Sequence, residues 1–109
     1  MLLYNLTFNV DDNIRRQWLD YMRDEWIPAV LATGLLHSPR LMQLMKSEPQ
    51  GTSYALQWEA DDMRQLKTFL QEYWPAFQQK FYDKFSHQVV YFPTTLKDID
   101  WQKGAQNGS

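Results

Sequence analysis

The chain has 109 residues, with 11 Lys+Arg against 13 Asp+Glu, a formal charge of −2, two His, no Cys, and an aromatic set of five Trp, six Tyr and six Phe. That length is one domain. The weakly acidic balance excludes a phosphate-tracking nucleic-acid binder, the missing Cys excludes disulfides, a thiol nucleophile and Cys-based metal sites, and two histidines are too few for an all-histidine metal centre.

Residues 2–10 alternate. Leu2, Tyr4, Leu6, Phe8 and Val10 point one way and Leu3, Asn5, Thr7 and Asn9 the other, the pattern of a strand with one face on a core. The N-terminus has no basic start and does not read as a signal peptide, and no stretch approaches the roughly 18 apolar residues a membrane helix needs, so cytoplasm is the expected compartment. Asp11, Asp12 and Asn13 offer N-cap oxygens to a first helix whose apolar stripe runs Ile14, Trp18, Met22 and Trp26. Pro28 predicts an end or kink near Ile27, residues 29–33 a further turn, and Gly34 the C-terminal cap.

Residues 36–46 are expected to form a strand with Pro39 at or near an edge, residues 47–51 a hairpin connection, and residues 53–60 the next strand, with Tyr54, Leu56 and Trp58 on one face. Asp61 and Asp62 with Gln65 resemble a capping box opening a second helix. Its predicted stripe is Met63, Leu66, Leu70, Tyr73, Phe77, Phe81 and Phe85, broken once by Pro75. Residues 89–97 form the last strand, with either Val89, Tyr91 and Thr95 or Val90, Phe92, Thr94 and Leu96 facing the core. One domain over 1–98 and a flexible C-terminal tail over 99–109 follow.

The order β-α-β-β-α-β gives an α+β, ferredoxin-like fold: a four-stranded antiparallel sheet with both helices on one face. The other face is left open, carrying Asn5, Thr7, Asn9, Ser53, Gln57 and Glu59. Pairing of two such faces as a homodimer is the common solution for small domains of this type.

Tyr4-Asn5-Leu6-Thr7, Trp18, Met22, the run Ile27-Pro28-x-Val30-x-Ala32-Thr33-Gly34, Tyr54-Ala55-x-Gln57, Pro75-x-x-Gln78 and Phe92-x-Thr94-x-Leu96 together resemble a small bacterial family known only as a domain of unknown function. The resemblance runs from Leu3 to about Lys97. It implies the dimeric α/β-barrel fold, whose superfamily includes antibiotic-biosynthesis monooxygenases, haem-degrading monooxygenases and muconolactone isomerases, but it implies no assigned activity. Histidines of the family pattern are replaced here by Trp26 and Tyr73, so no histidine-based role carries over.

Asn5, Thr7 and Gln57 are the candidate polar groups of a ligand pocket inside the barrel, with Trp26 and Tyr91 as ligand-facing aromatics. His37 reads as a surface residue with no carboxylate or nucleophile in its own segment, and His87 as a cation at a helix end. The pairs Asp11/Asp12 and Asp61/Asp62 read as helix caps; a carboxylate metal site would need both helix starts at one end of the sheet. Haem needs an axial ligand that neither histidine clearly supplies, and no cofactor is expected. The expected function is a binding or structural role as a homodimer with a small-molecule ligand. The alternative is a cofactor-independent monooxygenase or isomerase acting on a small aromatic molecule.

Overall fold

The computed structural model describes residues 1–45 and 49–102. Four antiparallel strands form one sheet in the order β2-β3-β1-β4, where β1 is Leu2–Val10, β2 His37–Gln43, β3 Thr52–Ala60 and β4 Val89–Lys97. The register is continuous along β1, with Tyr4 opposite Trp58 and Thr95, and Phe8 opposite Tyr54 and Tyr91. Period-two alternation therefore fixes which side chains go in: Leu2, Tyr4, Leu6, Phe8 and Val10 are all buried. The fold is the expected ferredoxin-like arrangement. Among the described residues, no helix is long and apolar enough to cross a membrane.

At Ile27, where an end or kink is expected, the first helical segment does not end but changes from a π-helical turn to an α-helix. A 3₁₀ turn (Asp12–Ile14) leads into α1 (Arg15–Tyr21), a π-helical turn (Met22–Trp26) and α2 (Ile27–Ala32). Proline lacks an N–H and its ring crowds the carbonyl four residues back. Here the Ile27 N–H reaches Met22 O across five residues, so the widened turn lets the helical hydrogen bonding carry on into α2, with Pro28 in its first turn. Gly34 closes the segment at φ +73, as expected of a C-terminal glycine.

The two acidic pairs behave differently. Asp62 Oδ1 accepts from the Gln65 N–H at 2.9 Å, and Gln65 Oε1 accepts from the Asp61 N–H at 3.3 Å, a reciprocal cap for α3 (Met63–Glu72). Asp11 makes no side-chain cap; its backbone carbonyl accepts from Ile14, while Asp12 Oδ1 accepts from the Thr52 hydroxyl at 2.8 Å. The pairs also lie at opposite ends of the sheet, because they follow antiparallel neighbours: Val10 is opposite Thr52, and Ala60 opposite Leu2. The arrangement a shared carboxylate site would need is absent.

The second helical segment divides at Tyr73 into α3 and α4 (Trp74–Phe85), with Pro75 in the first turn of α4. The division resets the helical phase. Tyr73 is 40% exposed and Met63 46%, although both belong to the predicted buried stripe, whereas Phe69 is buried and Trp74 partly so. Phe8 touches Trp18 and Trp26 from one helical segment and Phe81 from the other, so both segments cover the same face of the sheet.

That aromatic layer carries a polar cost. The indole nitrogens of Trp18, Trp26 and Trp58 and the Tyr54 hydroxyl are buried without a hydrogen-bond partner. Each orphaned donor costs about 1–3 kcal/mol. Burying about 200 Å² of aromatic surface contributes about 5 kcal/mol, so the ring more than offsets its own unmet N–H.

At the β2 end, Pro39 sits in the edge strand at a bulge, where the register shifts between His37 and Arg40 and Ser38 takes φ +54. Of the hairpin connection, Ser47 and Glu48 lie outside the described residues, as does the tail beyond Gln102. Gly51 takes φ +74, and a Cβ there would stand 2.7 Å from Asn9 Oδ1. Glycine is required at that position.

Candidate functional site

The helices leave one face of the sheet uncovered, and the strand register writes out its composition. Reading from β2 to β4, one row is Arg40, Gln57, Asn5 and Thr94. The next is Met42, Ala55, Thr7 and Phe92, and beyond it Ser53, Asn9 and Val90. At the opposite end, Leu3 stands between Glu59 and Leu96. The open face is polar along its middle and apolar along β4.

Sequence alone left two choices for the phase of β4, and the register with β1 decides it. Val89 and Tyr91 face the helices; Val90, Phe92 and Leu96 face outward at 57, 60 and 44% exposure.

The polar centre is partly organised. Asn5 Nδ2 donates to Thr7 Oγ1 at 3.1 Å, while Asn5 Oδ1 is buried without a donor. Asn9 Nδ2 donates to Ser53 Oγ and to the Gln50 carbonyl, both at 3.3 Å, pinning the end of β1 to the β2–β3 connection. Asn5 and Gln57 are directly opposite each other, with Thr7 two residues along the same strand. The structure thus brings three of the five candidate ligand residues together on one face.

Of the other two, Trp26 lies apart from them, and Tyr91 meets them only at Thr7, beside which it lines a concavity between β1 and β4. Trp26 is 3% exposed and packs against Phe8, Trp74, Phe77 and Phe81 under the helices. Tyr91 lies on the same covered side, its ring 5.5 Å from those of Phe8 and Phe81. A single pocket lined by all five residues is ruled out by the sheet between them. Sequence placed Trp26 on its helix correctly; which side of the sheet that helix covers relative to Asn5 is a property of topology.

Three concavities matter. A small one of about 210 Å³ lies between β1 and β4, lined by Thr7, Asn9, Ser53, Tyr91 and Phe92 among others. A second, of about 280 Å³, sits over Arg40, Gln57 and Glu59 with Ser38 at its edge. The largest of the three, about 570 Å³, is not on the open face but between α4 and the start of β4.

His37 gains partners its own segment could not supply. Its Nε2 stands 2.8 Å from Asp61 Oδ1, and its Nδ1 3.2 Å from the Ser38 hydroxyl. The side chains of His37 and Asp61 are 43 and 66% exposed, so this is a solvated tie between β2 and the β3–α3 connection rather than a desolvated relay. His87, in the 3₁₀ turn after α4 (Ser86–Gln88), sets its ring edge-to-face on Tyr82 at 5.8 Å. Burial, with Tyr91 adding to it, pushes the Tyr4 phenol up to about 12, so Tyr4 stays protonated at neutral pH and is no general base. Among the described residues, no group of three or more His, Asp or Glu is placed to hold a metal ion.

The model of a family described as a domain of unknown function (DUF4286) matches residues 1–99. The chain belongs to this family. No protein of curated function matches it. Solved structures share its fold at low identity. An ethyl tert-butyl ether D (EthD) family protein from Bacillus halodurans is 11% identical, with 91% of this chain and 100% of the other covered and a TM-score of 0.65. HapK from Hahella chejuensis is 7% identical over 92% and 94%, with a TM-score of 0.68. A dimeric ferredoxin-like protein from an uncultured marine organism is 10% identical over 90% and 97%, with a TM-score of 0.60. This DUF4286 chain therefore has the fold of dimeric α/β-barrel proteins, and the family itself assigns no chemistry to Asn5, Thr7 or Gln57.

Proposed function

We propose that two copies of this chain pair through their open sheet faces, as a homodimeric α/β barrel, and that Asn5, Thr7 and Gln57 line a small binding space between the two sheets. One observation carries the reading: the uncovered face exposes Val90, Phe92 and Leu96 as a row along β4. A solvated antiparallel sheet presents polar side chains outward. Three large apolar side chains along one strand favour burial against another surface instead. The dimeric ferredoxin-like neighbour supports a second copy as that surface. In this reading the domain spans 1–98 and the tail from 99 takes no part.

Light scattering on the eluting protein tests it. The wild type should run at about twice 13.1 kDa at tens of micromolar. Phe92→Asp should run as a monomer with an unchanged circular dichroism spectrum. A wild-type monomer at that concentration overturns the pairing. The proposed role is binding, because the centre of the face carries the amides and hydroxyls of Asn5, Gln57 and Thr7, with the charged Arg40 and Glu59 toward its β2 side; the alternative is a monooxygenase or isomerase without a cofactor.

A further inference from the structure

We infer that the cleft between α4 and the start of β4 is a second binding site, on the helical side of the sheet, for an uncharged planar aromatic molecule carrying one hydrogen-bonding substituent. The cleft is open to solvent and offers about 570 Å³, within the range of small-molecule sites. Two ring pairs bound it. Tyr82 and His87 meet edge-to-face at 5.8 Å and 84°, and Phe81 and Tyr91 at 5.5 Å and 83°. Such walls suit a flat ring, which gains stacking and edge contacts together.

The polar side chains at the cleft are Gln78, Gln79, Tyr82, Ser86, His87 and Tyr91, hydrogen-bonding groups among which His87 alone is basic. Gln78 and Ser86 line the cleft, and Gln79 beside them donates its amide to Asp83 at 2.8 Å, leaving Gln78 as the amide available to a ligand. No Lys, Arg, Asp or Glu is among the lining residues. The groove beside Trp26 is the opposite, ringed by Glu25, Lys80, Asp83 and Lys84. Charge therefore selects between the two concavities, and a neutral ligand belongs to the first.

The backbone at the lip is held in place from both sides. Ser86 takes φ +51 and ψ −128, a conformation that L-residues rarely adopt, between Phe85 and Val89, both buried. Glycine would adopt it without strain. Ser86 places a hydroxyl among the groups lining the cleft, and residues held in such conformations concentrate at binding sites.

The test uses the full chain, labelled with ¹⁵N and titrated with 2-naphthol as the neutral probe and 2-naphthalenesulfonate as the anionic one. Amide shifts should cluster on Gln78, Tyr82, Ser86 and His87 and saturate below millimolar naphthol. The sulfonate should bind at least fivefold more weakly. Tyr82→Ala, at a half-exposed position, should weaken naphthol at least fivefold, and Gln78→Leu about threefold if the alanine variant does not fold. Shifts scattered over the surface or centred on Thr7 and Phe92, equal affinity for the two probes, or variants that bind naphthol like the wild type would each overturn the site. Because Val90 both lines this cleft and belongs to the open face, the titration is repeated on Phe92→Asp: naphthol should bind that variant as it binds the wild type, and loss of binding there would overturn a site that stands apart from the paired face.

Discussion

The two faces of the sheet are built from the same strands and answer to different rules. On the covered face every position of β1 is filled by a buried apolar or aromatic side chain, and Phe8 meets rings from both helical segments and from β4, touching Trp18, Trp26, Phe81 and Tyr91. On the open face the neighbouring positions carry Asn5, Thr7 and Asn9, tied by three hydrogen bonds of 3.1–3.3 Å. The covered face accepts unmet indole donors because so much aromatic area is buried with them. The open face has no such surplus, so each polar atom there must find a partner in the chain, in water or in another molecule. The covered side holds the buried core, and the open side is the one proposed to pair.

The largest expected effect tests that division directly. Phe8→Ala removes the ring at the centre of the covered face and should cost about 3–5 kcal/mol, read from the denaturant midpoint. Phe92→Ala, at the facing position one step along β4 but outward, should change the midpoint extrapolated to the monomer by less than about 0.5 kcal/mol. A comparable loss for both would mean that the open face is already part of the folding core.

The next effect is electrostatic. The Tyr4 phenol is raised to about 12 from its ordinary value of 10.0, so the native state holds a proton that the unfolded chain releases first. Its contribution is complete below pH 10 and is lost as pH rises through about 12, amounting to about 2 kcal/mol at most. Thermal unfolding of the wild type should therefore lose stability across that window faster than Tyr4→Phe. Parallel curves would show that Tyr4 is solvated in solution.

Smaller still is Ser86→Gly, which removes a rarely adopted φ for an L-residue and should stabilise by about 1 kcal/mol in denaturant melts. A loss of stability would show that the serine hydroxyl makes a structural bond outweighing the strain. That position also shows where sequence reading stops. The alternation of residues 2–10 revealed one buried face without any fold, and Asp62 with Gln65 revealed the start of α3. Neither depends on a distant segment. The phase of β4 depends on its register with β1, and the His37–Asp61 contact bridges 24 residues, so neither had a local signal. Tyr73 misled for a different reason: a stripe extrapolated through Pro75 assumes one continuous helix, and the chain uses two. Trp26 and Tyr91 were grouped with Asn5 because composition gives no side of the sheet. The asymmetry is physical. Periodicity encodes what each element does with its own faces, and only the assembled topology says which faces meet.

The smallest effect decides what the polar centre is for. Asn5 donates to Thr7 yet leaves a buried carbonyl oxygen with no donor, a debit of about 1–3 kcal/mol in the isolated chain. Replacing it by valine removes both the donor and the orphaned acceptor, leaves a hydroxyl on Thr7 free to rotate toward water, and adds a β-branched side chain suited to a strand. If the chain alone determines the energetics, Asn5→Val should be neutral or stabilising by less than about 1 kcal/mol. A loss above about 2 kcal/mol at concentrations where the protein pairs, absent from a Phe92→Asp background, would mean that the oxygen is satisfied only across the paired faces. That outcome would move Asn5 from a tolerated defect to a built part of the binding surface, because a buried acceptor raises stability only when something arrives to donate to it.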